Sequence, residues 1–91
     1  MKTYHLRISG KVQGVWYRAS AKDKALSLGL KGKVWNEHDG AVGILVQGHE
    51  DIVSDFIEWC KEGPILAEVN DVTVNEQPMT EIYASFEIVR K

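Results

Sequence analysis

The chain has 91 residues, 44% of them hydrophobic and 26% charged, with a formal net charge of -2. That length suits one compact domain and is too short for two. The slightly acidic balance speaks against a nucleic-acid backbone binder, no apolar run approaches the roughly 18–20 residues that span a bilayer, and the segment Met1 to His5 lacks the apolar stretch of a secretory signal.

Thr3 to Gly10 alternates, with Tyr4, Leu6 and Ile8 on one face and His5, Arg7 and Ser9 on the other, which predicts a half-buried strand. The alternation stops at Gly10-Lys11-Val12-Gln13-Gly14-Val15-Trp16-Tyr17-Arg18, and helical spacing follows. Arg18 to Leu28 is predicted as a helix with Ala21, Ala25 and Leu28 on its apolar side, ended by Gly29. Leu30 to Glu37 reads as a second strand, with Leu30, Gly32 and Val34 on one face and Lys31, Lys33 and Trp35 on the other. Asp39-Gly40 marks a tight turn into a third strand, Ala41 to Gln47, with Val42, Ile44 and Val46 inward.

Glu50 and Asp51 open a second helix, placing acidic side chains at its positive end. Its stripe is Ile52, Val53, Phe56, Ile57 and Cys60, and Gly63-Pro64 stops it. Ala67 to Glu76 is rich in valine, but its alternation slips near Asn70, the pattern of a bulge. A last short strand is expected over Tyr83 to Val89, with Ala84, Phe86 and Ile88 in phase. The order β-α-β-β-α-β plus a final strand, with right-handed crossovers, predicts an α+β fold. It is a ferredoxin-like α/β sandwich with a mostly antiparallel sheet and two helices on one face. That architecture hosts many activities, so function has to come from a site.

The segment Gly10 to Arg18 carries the chemistry. Two glycines four apart permit a tight turn with outward N–H groups, and a helix N-terminus behind it favours anions. Arg18 opens that helix, where a cation opposes the helix dipole and a helix built only for stability would place an acid or a serine. A guanidinium there reads as a bidentate phosphate clamp rather than as a base. Val12, Val15 and Tyr17 are expected to pack and stiffen the loop; Trp16 either caps the core or, the reading preferred here, stands exposed at the mouth of the site. Asn36 ends the second strand, which this topology allows to lie beside the loop; its amide can donate to and accept from a water.

The remaining candidates are weaker. Cys60 is the single cysteine, so neither an intramolecular disulfide nor a cysteine zinc cluster is available. It reads as a buried small hydrophobe rather than a nucleophile, and the expected compartment is the cytoplasm. His5, His38 and His49 lie apart with no metal-ligand spacing, and His38 beside Asp39 reads as a solvated turn pair.

Residues 10–18 resemble the first signature of the acylphosphatases, Gly-x-Val-Gln-Gly-Val-x-Phe-Arg, with Tyr17 in place of the usual phenylalanine. Gly32-Lys33-Val34-Trp35-Asn36, Asp39-Gly40-Ala41-Val42 and Gly48 are similar to the second, with Lys33 in place of a common aromatic. Gly63-Pro64 and Ala67-Glu68-Val69 fit as well, so the resemblance spans essentially the whole chain as one acylphosphatase-like domain over 1–91. It implies hydrolysis of a carboxyl-phosphate anhydride to carboxylate and inorganic phosphate without metal or cofactor. The implied phosphate-binding loop is Gln13, Gly14, Val15, Trp16, Tyr17 and Arg18. The implied catalytic pair is Arg18 on the phosphoryl group and Asn36 on the attacking water.

A non-catalytic anion-binding module is the runner-up, against which the retention of Asn36 speaks. RNA binding on the sheet is disfavoured, because the central strand Ala41 to Val46 carries no stacking aromatics. A large carbamoyl-transferring maturation enzyme also contains an acylphosphatase-like domain, but an independent monomer acting on a small acyl phosphate, with no nucleic-acid or membrane partner, is the expectation.

Overall fold

The computed structural model of the chain describes residues 1–90. The elements follow in the order β1 (Lys2–Lys11), α1 (Tyr17–Ser27), β2 (Lys31–Asn36), β3 (Val42–Gly48), α2 (Glu50–Cys60), β4 (Glu68–Gln77) and β5 (Phe86–Ile88). The strands form one sheet in the order β4-β1-β3-β2-β5. All neighbours are antiparallel except β2 and β5, which run parallel. This is the expected ferredoxin-like arrangement with a fifth strand added at one edge.

The alternation in β1 and β3 turns Leu6, Ile8, Val42, Ile44 and Val46 to one side, where each is fully buried. Both helices cover that side. α1 contributes Ala21 and Ala25, small side chains that let its backbone lie close, and α2 contributes Val53, Phe56 and Cys60 to the same cluster. Leu6 pairs with Ile44 and Val34 pairs with Ile44 on the opposite strand, so the centre of the core is a cross-strand row.

Four local features refine the sequence reading. The slip near Asn70 is a bulge: Ser9 pairs with Asp71 and Gly10 with Val69, leaving Asn70 unopposed. The final strand is shorter than expected: only Phe86 to Ile88 pair with β2, opposite Gly32 to Val34. Tyr83 instead gives its backbone N–H to Gln47 Oε1 at 3.1 Å. Helix α1 begins at Tyr17, one residue before Arg18. Trp35, expected on the outer face, is nevertheless only 4% exposed. It lies flat over Gly43, where a Cβ would come within 2.5 Å of its ring, and its ring centroid is 5.9 Å from that of His5.

Candidate active site

The approach to the site is set at Gly10. Its φ is +125°, and a Cβ there would stand 2.2 Å from the Glu68 carbonyl oxygen, so glycine is what allows β1 to pass the β4 bulge. The loop beyond then alternates in burial. Val12, Val15 and Tyr17 point into the core, while Gly14 and Trp16 face outward. The expectation that the three apolar side chains anchor the loop is met.

The Tyr17 hydroxyl also donates to the Cys60 carbonyl at 2.7 Å, which caps the C-terminal end of α2. Burial and the neighbouring Cys60 hold that phenol far above its ordinary range. Burial also pushes the Cys60 thiol up to about 12, so Cys60 is an inert core residue as expected.

Two outward residues have left-handed backbones: Gly14 at φ 74° and Trp16 at φ 67°. Such a conformation is unusual for a bulky L-residue and clusters at functional sites. Trp16 is also the N-cap of α1 and makes no side-chain cap. The first amide to enter the helical ladder is that of Ser20, which donates to the Trp16 carbonyl at 3.0 Å. The helix therefore supplies no acceptor for the amides of Tyr17, Arg18 and Ala19.

The two helices differ in how they treat this end. The first turn of α2 holds Glu50 and Asp51, whereas that of α1 holds no acidic residue and carries Arg18. Free N–H donors and an added cation at one helix start make a local field suited to an anion, in a chain whose net charge is negative. Arg18 is half-buried and makes no ion pair among the described residues.

A cavity of about 350 Å³ opens at this point. Gly14, Trp16, Tyr17, Arg18 and Asn36 all line it, so the structure brings the loop and the end of β2 together. Trp16 is 75% exposed at its edge, which matches the expectation for that ring. The Oδ1 atom of Asn36 is buried and has no hydrogen-bond partner among the described residues. Leaving a buried acceptor unsatisfied costs roughly 1–3 kcal/mol, so this atom marks a place for a polar guest.

Gln13 and Val15 belong to the loop but not to the cavity wall. Val15 is core, and the Gln13 side chain turns to the β2–β3 connection, where its Nε2 donates to the carbonyls of Glu37 at 2.8 Å and Ala41 at 2.9 Å. His38 lies exposed in that connection and does not reach the cavity.

The sequence reading missed Ile88 and Arg90, which close the opposite wall; Arg90 and Arg18 also share an adjoining smaller cleft with Asn36. Only the parallel pairing of β5 with β2 brings this segment beside Asn36, and that pairing has no local signal. Among the described residues no three His, Cys, Asp or Glu side chains are grouped to hold a metal ion, and no helix is long and apolar enough to cross a membrane.

The chain is similar to several known proteins. The acylphosphatase of Methylococcus capsulatus is 43% identical over 90 residues, covering 99% of this chain and 98% of that protein. The crystal structure of acylphosphatase from Bacillus subtilis superposes with a TM-score of 0.94 at 36% identity, covering 98% of this chain and 99% of that one. A full-length HypF structure in a phosphate- and nucleotide-bound form matches at 35% identity and a TM-score of 0.88, covering 97% of this chain but 12% of the larger one. The sequence pattern of the acylphosphatase family fits residues 4–88. The chain belongs to the acylphosphatase family, hydrolases that act on acid anhydrides.

Proposed function

We propose that Arg18, the amides at the start of α1 and Asn36 perform acyl phosphate hydrolysis on this chain without a metal ion. The observation that carries the reading is one cavity lined by both Arg18 and an asparagine whose buried Oδ1 lacks a partner. The guanidinium and the amides of the 13–18 segment hold the phosphoryl oxygens and stabilise their charge as the transition state develops. Asn36 Oδ1 accepts a hydrogen bond from the attacking water and sets its line of approach.

Water oxygen bonds to phosphorus while the bond from phosphorus to the acyl oxygen breaks, and that oxygen leaves with the electron pair as a carboxylate. A carboxylate is a good leaving group, so the site needs no general acid. The water proton passes to a phosphoryl oxygen of the substrate, in keeping with a cavity wall that offers no carboxylate or imidazole. A His38→Ala protein keeps its pH–rate profile under this scheme; loss of the acidic limb, the mark of an essential general base, would contradict it.

The test of the water-orienting role is Asn36→Ala. Turnover of benzoyl phosphate falls at least about 100-fold, the range seen when one oriented donor or acceptor is removed from a reaction site. Inhibition by inorganic phosphate changes little. The opposite pattern, with phosphate affinity lost and turnover kept, would reverse the assignment.

A further inference from the structure

The Gln13 side chain joins the two halves of the site without touching the cavity. Its Nε2 donates to the carbonyl oxygens of Glu37 and Ala41, 24 and 28 residues away, at 2.8 and 2.9 Å. Two carbonyl acceptors fix the amide orientation, because only the NH2 end of a glutamine can serve both. Both Nε2 hydrogens are then used, and the remaining Oε1 is an acceptor unsuited to an anionic phosphate.

The carbonyls it grips belong to a braced turn. The Glu37 amide donates to the Ala41 carbonyl at 2.8 Å, and the Ala41 amide donates to Asp39 Oδ1 at 3.2 Å. Asp39 forms an ion pair with Arg7 of β1, and the Trp35 indole N–H donates to Glu37 Oε1 at 2.7 Å. Asn36 lies one peptide bond before this turn and pairs with Val42 across the hairpin. On the other side, Gln13 lies one peptide bond before Gly14 and five residues before Arg18.

We infer that Gln13 is a positioning residue: its doubly bonded amide sets the placement of the anion-holding loop relative to Asn36, and so the alignment of phosphoryl group and water. The inference rests on the proposed role of Asn36. An error of about 1 Å in such an alignment costs on the order of 100-fold in rate. Binding of phosphate alone needs only the loop side and is insensitive to the link.

The experiment uses the full chain with Gln13→Met, which keeps side-chain length but donates no hydrogen bond, and Gln13→Glu as a second variant of the same size. The turnover number for benzoyl phosphate falls about 10- to 100-fold. The inhibition constant of inorganic phosphate stays within about threefold, and that retained binding shows that the protein is folded.

In an Asn36→Ala background the same Gln13 substitution costs less than about threefold, because partners acting through one another are non-additive. Turnover unchanged by both Gln13 variants would overturn the inference. So would a fall in phosphate affinity parallel to the fall in turnover, or equal losses in both backgrounds. An Asn36→Ala protein with wild-type turnover would instead overturn the water-orienting role, while the Gln13 variants alone still decide whether the link matters to the rate.

Discussion

Trp16 is the place where the backbone of the site departs most from what its residue type favours. It holds φ 67° and ψ 17° at the start of α1 with 75% of its surface exposed. Replacing it by glycine or by alanine removes the same ring contacts in both cases, so the two variants differ only by one Cβ. A left-handed L-residue costs roughly 1–2 kcal/mol, whereas the greater freedom of glycine in the unfolded chain favours alanine by roughly 0.4–1 kcal/mol.

The balance leaves Trp16→Gly more stable than Trp16→Ala by about 1 kcal/mol, the reverse of the usual helix order. In a domain of this size that corresponds to a Tm difference of about 4–8 °C. Thermal and urea unfolding of the two variants, followed by circular dichroism, measures it. An alanine variant as stable as the glycine variant would refute the reasoning, since it would mean that the turn relaxes out of the left-handed region and the amide cradle is not fixed by the fold. Phosphate inhibition should survive better in the glycine variant, which keeps the turn.

Other consequences follow from packing and burial. Gly32→Ala would bring a Cβ to 1.8 Å from the Leu45 carbonyl oxygen, inside the sheet, while Gly40→Ala in the turn meets nothing within 4 Å. The first should cost more than about 4 kcal/mol and the second about 1 kcal/mol in urea unfolding; equal costs would contradict the register of β2 and β3. Cys60 should resist alkylation at pH 8 in the folded protein and react on unfolding, and rapid native labelling would place the thiol outside the core.

Alkaline stability follows from the same burial. Ordinary values are 10.0 for Tyr17 and 9.0 for Cys60, and both are raised on folding. The unfolded chain therefore loses these protons first, so the stability linked to them is whole below pH 9 and is lost as pH rises toward the folded values. Tyr17→Phe should lower stability by about 1 kcal/mol at pH 7, where the Cys60 carbonyl loses its donor. The same variant should show a shallower decline of Tm above pH 10; a decline as steep as that of the wild type would show that Tyr17 is not the group responsible.

Much of this arrangement was legible in the sequence because it is written in local pattern. The period of two in β1 and β3, the alanine stripe of α1, the slip at Asn70 and the Gly10–Arg18 segment each depend on residues close in the chain. Arg18 was conspicuous because it sits where a helix prefers an acid. What stayed hidden depends on partners far away. The left-handed backbone of Trp16 has no glycine to announce it. The burial of Trp35 depends on Gly43 across the hairpin. Arg90 joins the cavity only through the parallel pairing of β5 with β2, and the apolar phase of the last segment runs longer than the three residues of β5 that pair. The role of the Gln13 side chain has no local signal, since its acceptors lie in the β2–β3 connection.

The most direct test of the central claim compares wild type and Arg18→Ala in the hydrolysis of benzoyl phosphate with a metal chelator present throughout. The account predicts rapid wild-type turnover that the chelator does not affect, and a loss of at least about 3 kcal/mol of transition-state stabilisation in the variant, more than 100-fold in kcat/KM. A folded Arg18→Ala protein that hydrolyses the substrate at the wild-type rate, or a wild-type enzyme silenced by the chelator, would contradict it.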